Sequence, residues 1–171
     1  MANFTYRCTD CGRTYTRDAV RYLCPACGPA YRPGIPLVGV LEAVFDYDAI
    51  RRTFDRQHPD WNLLCAVEPE FHPALQVGNT PLAPAARLGS ELGLDRLWIK
   101  NDGLNPSGSL KDRASFLVAA EAARLGIDLI VAASTGNAAS ALAAVCASTG
   151  QKALIFVPQS APKAKLVQMV L

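Results

Sequence analysis

The sequence predicts an α/β protein with a small cysteine-held unit at its N-terminus. Three observations predict this. Two Cys-x-x-Cys pairs, Cys8/Cys11 and Cys24/Cys27, lie within the first 28 residues. From about residue 96 onward, short apolar runs alternate with longer small-residue stretches of helical spacing, which implies parallel strands joined by crossover helices. Half of the 171 residues are hydrophobic, enough to build one modest domain beside the appendage.

Composition narrows the function classes. The formal net charge is only +2, which argues against a nucleic-acid-binding tail or a membrane-surface patch. No apolar run reaches the length of a bilayer. The stretch Met1–Arg7 lacks the apolar core of a signal peptide and the Arg- and Ser-rich helix of a transit peptide, so the expected location is the cytoplasm. Six cysteines in such a chain suggest metal ligation or burial more than disulfides.

In the first unit, residues 1–34, twelve residues separate the two cysteine pairs. Each pair can offer two thiolates to one tetrahedral ion, and together they fill its four positions. Gly12 and Gly28 follow the second cysteine of each pair and suit a tight knuckle turn. Thr14–Thr16 and Val20–Leu23 read as short strands between the pairs. The pattern is a zinc ribbon with Cys8, Cys11, Cys24 and Cys27 as ligands. The site is closed to substrate, so its role is structural, and so small a core needs the ion to hold together. A redox reading of the two pairs lacks the surrounding βαβ pattern it needs. A nucleic-acid-binding ribbon has only Arg7, Arg13, Arg17, Arg21 and Arg32 in its favour, and scattered arginines usually form a solvated face.

Residues 35–76 form a lead-in. Pro33–Pro36 is a linker, Leu37–Tyr47 reads as a strand, and Asp48 is placed to cap a short helix through Phe54. The proline-punctuated stretch from His58 to Gln76 is irregular, with Trp61, Leu63 and Leu64 as expected core anchors. His58 and His72 sit beside prolines with no acid or nucleophile pattern near them and read as structural. Cys65 and Cys146 read as small buried hydrophobes.

Val77–Leu82 is a turn, and Ala83–Gly93 reads as a helix ending at a glycine cap. Strands follow at Arg96–Asn101, Asp128–Ala133 and Lys152–Val157, with helices at Ser109–Leu125, Asn137–Thr149 and from Pro162 to the chain end. Ligands of such a fold bind beyond the carboxyl ends of the strands. Two of those ends carry informative loops. The first, Asn101–Leu110, leads to Lys111 in the first turn of a helix. There the helix dipole disfavours a cation and favours the neutral amine that condenses with carbonyls. A solvated lysine after a turn is the plain alternative. The second loop, Ala133–Ala139, enters a helix N-terminus with free N–H groups and two hydroxyls, which could cradle an anion or simply cap the helix.

Asn105–Arg113, reading Asn-Pro-Ser-Gly-Ser-Leu-Lys-Asp-Arg, resembles the cofactor-lysine segment of the pyridoxal-phosphate enzymes of the tryptophan synthase β-like class, fold type II. Asn101–Pro106 before it and Ala114–Ser115 after it resemble threonine synthases, which often have Phe where Leu110 stands here. The resemblance implies that Lys111 carries pyridoxal 5'-phosphate as a Schiff base and later moves protons. It implies that Ser134, Thr135, Gly136, Asn137 and Ala138 hold the substrate carboxylate, and that Asn137 also bonds the cofactor's ring hydroxyl. Gly78–Leu82 resembles the turn that shapes the cleft wall. Asp112 and Arg113 are expected to brace the loop. Val157–Leu166 resembles the class's Val-Pro…Lys-Leu segment, whose Lys163 and Lys165 either approach a phosphate or are solvated.

The implied activity is that of a lyase of threonine biosynthesis, turning O-phosphohomoserine and water into threonine and phosphate. The implied partner is that small amino-acid substrate, with no nucleic acid and no membrane, and with a homodimer at full length. Zinc ribbons precede the catalytic fold in some threonine synthases. The class's Gly-rich phosphate loop and its pyridine-nitrogen partner lie beyond the region resembled, so residues 77–171 are expected to be an incomplete catalytic domain. Three alternatives stay open: a sister activity (cysteine or cysteate synthase-like, or a threonine or serine dehydratase), a binding module in which the ribbon does the work, and an inactive fragment.

Overall fold

The computed structural model describes residues 4–170 in two compact units, one ending at Pro69 and the other beginning at Glu70. In the first unit, β1 (Phe4–Cys8) lies between β2 (Thr14–Tyr15) and β3 (Leu41–Phe45) in an antiparallel sheet. β1 and β3 pair from Phe4 opposite Phe45 to Cys8 opposite Leu41. The Phe4 and Phe45 rings meet at 5.3 Å, a cross-strand pair of the kind that stabilises such ribbons. The cysteine ribbon is thus built on a strand, β3, that lies beyond residue 34.

Val20–Leu23 is not a strand. A short 3₁₀ turn, Arg17–Ala19, precedes it, Val20 is buried, and Tyr22 is 80% exposed. The chain is instead drawn into the second knuckle, where the Cys24 amide donates to the Gly39 carbonyl at 2.8 Å. Of the expected strand Leu37–Tyr47, only Leu41–Phe45 pairs. Helix α1 (Tyr47–Thr53) is capped by Asp46, whose carboxylate accepts from the Ala49 amide at 2.8 Å. Asp48 falls inside the first turn, where a negative charge is favourable without being the cap.

Trp61 and Leu64 do not anchor the core. They lie on a surface 3₁₀ turn, 65% and 42% exposed, and Trp61 meets Phe54 edge-on at 5.7 Å. Val67 takes the buried position instead. Beside it, Arg17 forks onto Glu68 at 2.9 and 2.8 Å and reaches the Ala66 carbonyl at 3.1 Å. This pairing pulls the Glu68 carboxyl down to about 2.

The second unit contains β4 (Leu82–Pro84), α2 (Ala86–Leu92), β5 (Trp98–Lys100), α3 (Asp112–Arg124), β6 (Leu129–Ala133), α4 (Asn137–Thr149), β7 (Lys152–Phe156) and α5 (Lys163–Val170). β6 and β7 are parallel, with α4 as their crossover, in register from Leu129 opposite Lys152 to Ala133 opposite Phe156. β5 does not join them. It pairs antiparallel with β4, so the parallel arrangement expected of all three strands holds for two. The reason lies in Leu82–Pro84, which extends as a strand instead of opening the helix expected from Ala83, and so gives β5 a nearby partner. That helix starts at Ala86 and ends at Gly93, as its glycine predicts.

The core of this unit joins Ala119 and Ala122 of α3, Ile130 of β6, and Leu142, Val145 and Cys146 of α4. Alanines at the contact let the two helices approach closely. Cys146 is buried as expected, and burial raises its thiol pKa; Cys65 in the first unit is only half-buried. His72 packs edge-on against Phe116 at 5.1 Å, and His58 pairs with Asp55 at 3.2 Å in the first unit. Among the described residues, no helix is long and apolar enough to cross a membrane.

Candidate functional site

Two sites take shape, one in each unit. In the first, the ligand sulfurs of Cys8, Cys11, Cys24 and Cys27 all lie within 4.8 Å of one another, and Cys11 and Cys24 are 3.8 Å apart. A tetrahedral ion with metal–sulfur bonds of about 2.3 Å sets its sulfurs roughly 3.8 Å apart. All four thiols are free. Knuckle turns present them: the Gly12 amide donates to Cys8 at 3.0 Å, and the Gly28 amide to Cys24 at 2.8 Å.

The Tyr15 hydroxyl lies 3.1 Å from Cys24, and that hydrogen bond draws the thiol down to about 6 while pushing the phenol up to about 12. Contact with Cys11 pushes Cys27 up to about 12. Crowded thiolates resist joint ionisation unless a cation neutralises them. The cluster therefore has the chemistry and spacing to hold a metal ion. Gly39 lies outside the strand that pairs, although the expected strand Leu37–Tyr47 includes it, and it closes this site. It adopts φ +79, and a Cβ there would sit 2.7 Å from the Gly28 nitrogen. Its amide also donates to Asp10 at 2.8 Å. Its contact with the knuckle is tertiary, which local pattern does not encode.

The second site is the loop that ends at Lys111. Lys111 stands at the N-cap of α3 rather than in its first turn, with helical backbone angles and an exposed side chain. Its amide donates to the Ser109 hydroxyl at 3.3 Å. Around it the loop is braced from several sides. Asp112 is fully buried and accepts from the Ser107 amide at 3.1 Å and hydroxyl at 2.9 Å. Arg113 donates to both carboxylate oxygens of Asp102 at 2.8 Å. Thr80 adds a hydrogen bond to Asp102 at 2.6 Å. Arg113 and Thr80 together hold the Asp102 carboxyl far below the usual carboxylate range. Lys100 donates to the Thr80 carbonyl.

Asn105 closes the arrangement. It is 4% exposed, accepts from the Gly78 amide and donates to the Asp102 carbonyl, both at 2.9 Å. Gly78, at φ +85, leaves room for the Arg113 guanidinium, which a Cβ there would meet at 3.0 Å. The Gly-Asn-Thr-Pro turn is thereby tied to the lysine loop. Asn105 and Thr80 stood inside the quoted motifs, but only the folded geometry reveals what they hold.

The loop Ser134–Ala138 opens α4, whose bounds match the sequence reading. Neither hydroxyl caps the helix. Ser134 turns to accept from the Gly136 amide at 3.3 Å, and Gly136 occupies the cap position with no side chain to offer. The amides of Thr135, Asn137 and Ala138 have no acceptor among the described residues. They form an open row of donors at the positive end of a helix dipole.

Helix α5 links this row to the lysine loop. Lys165 donates to Asn137 Oδ1 at 2.7 Å and to Gln168 Oε1 at 3.2 Å, and Gln168 donates to the Ser107 carbonyl at 3.3 Å. Here, then, are a primary amine on a braced loop, an open anion cradle, and an amide bridged to that same loop. This donor set fits an aldehyde-bearing anionic cofactor.

Comparison with known proteins agrees. A family model described as pyridoxal-phosphate dependent enzyme matches residues 73–171. Threonine synthase of Methanosarcina acetivorans is 32% identical over 157 residues, 89% of this chain and 36% of that protein. Threonine synthase of Methanocaldococcus jannaschii is 34% identical over 167 residues, 90% of this chain and 37% of that protein. Cysteine synthase B of Salmonella typhimurium is 38% identical over 88 residues, 49% of this chain and 29% of that protein. The chain spans about a third of the length of the two threonine synthases. With more than half its residues inside the family match, and with the lysine loop and the open helix end both within it, the chain belongs to the pyridoxal-phosphate-dependent enzymes.

Proposed function

We propose that this chain supplies the N-terminal part of a threonine synthase of fold type II, a lyase that converts O-phosphohomoserine and water to threonine and phosphate. The observation that carries this reading is the open end of α4: three amides without an acceptor among the described residues, at a helix start whose Asn137 side chain is bridged through α5 to the braced loop that presents Lys111. When bound, pyridoxal 5'-phosphate supplies an electron sink for negative charge developing on substrate carbons. Lys111 would hold that group through Nζ, and its amine would move protons to and from those carbons. Ser134, Thr135, Gly136, Asn137 and Ala138 would bind the substrate's α-carboxylate through backbone amides and hydroxyls, which orients the substrate. The Asn137 side-chain amide would donate to the cofactor's ring hydroxyl. Cys8, Cys11, Cys24 and Cys27 hold a structural zinc ion that takes no part in the reaction.

A threonine synthase is favoured over a cysteine synthase by coverage. The two threonine synthase matches cover 89% and 90% of this chain and so extend into its first unit, whereas the cysteine synthase match covers 49%.

The test is trapping. The chain is incubated with pyridoxal phosphate, reduced with borohydride, digested and mapped by mass. Selective labelling of Lys111, lost in Lys111→Ala, is expected. Label spread over Lys100, Lys152, Lys163 and Lys165 would refute an organised site in this chain. Phosphate release from O-phosphohomoserine by a protein carrying the full catalytic region separates the threonine synthase reading from its sister activities.

A further inference from the structure

Resting on that reading, we infer that Lys165 is a positioning residue that fixes which way the Asn137 amide faces. An ammonium can only donate hydrogen bonds. At 2.7 Å it must therefore hold the oxygen of the Asn137 amide, not its nitrogen. With Oδ1 engaged, Nδ2 turns to the opposite side as a pure donor. An ionised ring hydroxyl needs a donor there, and the flipped amide would present an oxygen to an anion.

Lys165 is itself held in place. Its second contact is Gln168, one turn along α5, and Gln168 anchors on the Ser107 carbonyl of the lysine loop. The residue is partly buried, and its ammonium is engaged by two side-chain acceptors, so it is not a freely solvated cation. Lys163, two residues earlier, is exposed and shares none of these contacts. The segment's two lysines thus divide: Lys163 lies outside the bridge, and Lys165 acts through Asn137 and not as a ligand of phosphate.

Two measurements on the full chain test this. The first needs no cofactor. In ¹⁵N-labelled protein, the Asn137 side-chain amide signals are expected to shift and exchange faster in Lys165→Met, and to stay in place in Lys163→Met. Unmoved signals in Lys165→Met would overturn the inference.

The second is a double-mutant cycle on pyridoxal phosphate affinity, read from the absorption band of the bound cofactor. Lys165→Met is expected to weaken binding about 5–10-fold, roughly the worth of one hydrogen bond, with partial rescue in Lys165→Arg. In an Asn137→Ala background the same change is expected to cost almost nothing, because the group it acts through is gone. An equal loss in both backgrounds would mean that Lys165 touches the cofactor directly, and would overturn the proposal. A wild-type chain that takes up no cofactor at Lys111 overturns the reading of the preceding section. Wild-type uptake that Lys165→Met leaves unchanged overturns this inference alone.

Discussion

Asn105→Ala is the sharpest perturbation of the lysine loop, because it removes the clamp without touching Lys111. Asn105 is 4% exposed and makes two side-chain hydrogen bonds at 2.9 Å, one from the Gly78 amide and one to the Asp102 carbonyl. Truncation leaves both backbone groups without these partners. Gly78 is half-buried, so its amide is only partly rehydrated. Each lost bond to a poorly hydrated group costs about 1–2 kcal/mol, for a total of roughly 2–4 kcal/mol. With a urea slope of about 1.5 kcal/mol/M, the unfolding midpoint of this unit should fall by roughly 1.3–2.7 M. Trp98 on β5 reports it in a Trp61→Phe background, since Trp61 lies in the other unit. The same variant should lower the yield of trapped label at Lys111, because the turn at Gly78 no longer holds the loop. A midpoint change under about 0.3 M would refute the claim that Asn105 ties the two loops together.

Other predictions follow from the same geometry. The purified chain should carry one tightly held zinc ion, and a strong chelator at pH 7 should unfold the cysteine ribbon, seen as a change in Trp61 emission in a Trp98→Phe background; a metal-free ribbon that stays folded would refute a structural ion. Asp102 has a lowered folded-state pKa, so its contribution to stability is complete above the usual carboxylate range and is lost as pH falls through the lowered value. Asp102→Asn should flatten that acid arm of the pH–stability curve, measured by thermal midpoints, and an unchanged arm would show that the Arg113 pair contributes nothing. Gly136→Ser places a cap at the start of α4, where the backbone is extended and a Cβ meets nothing within 4 Å. It should raise the urea midpoint by the equivalent of about 0.5–1 kcal/mol, and a fall would mean that the glycine backbone is needed.

The second unit was legible in sequence to the degree that its signals were local. The bounds of α4 match because an unbroken small-residue run ends at Gly150, and β6 and β7 differ by one residue at one end because apolar runs lie between turn formers. The pairing of β4 with β5 was not legible. Each strand is three residues long, and a register so short is set by tertiary hydrogen bonds such as Asn101 to Pro81 at 2.9 Å. In the first unit the cysteine spacing announced the cluster, but not the strand that supports it. Phe4, Tyr6 and Cys8 alternate with polar neighbours as a strand should, over a stretch too short to stand out beside the cysteines. Of the site residues, Lys111 and Asn137 were marked by motif. Asn105, Gly39 and the bridge from Lys165 needed three dimensions, because their partners lie 27, 29 and 28 positions away.

The helix starts show where local stability gives way to chemistry. α1 begins with Asp46, whose carboxylate satisfies an amide of the first turn. The two helices that frame the candidate site begin otherwise. α3 starts at Lys111, which has no acceptor to give, and α4 starts at Gly136, which has no side chain at all. A capping side chain is worth about 1 kcal/mol over none, and Ser134 and Thr135 stand within two residues of the position that needs it. Ser134 instead turns its hydroxyl to Gly136, and the amides of Asn137 and Ala138 stay open. At α3 the Arg113 amide finds the Leu110 carbonyl at 3.3 Å, and the Asp112 carboxylate, within the first turn, accepts from Ser107 of the preceding loop, so the turn is braced while its lysine stays exposed. Among the described residues nothing of that kind closes α4. An unpaired helix N-terminus is a poor choice for folding and a good one for binding an anion. That contrast within one chain, more than any single residue, ties the geometry to the proposed reaction.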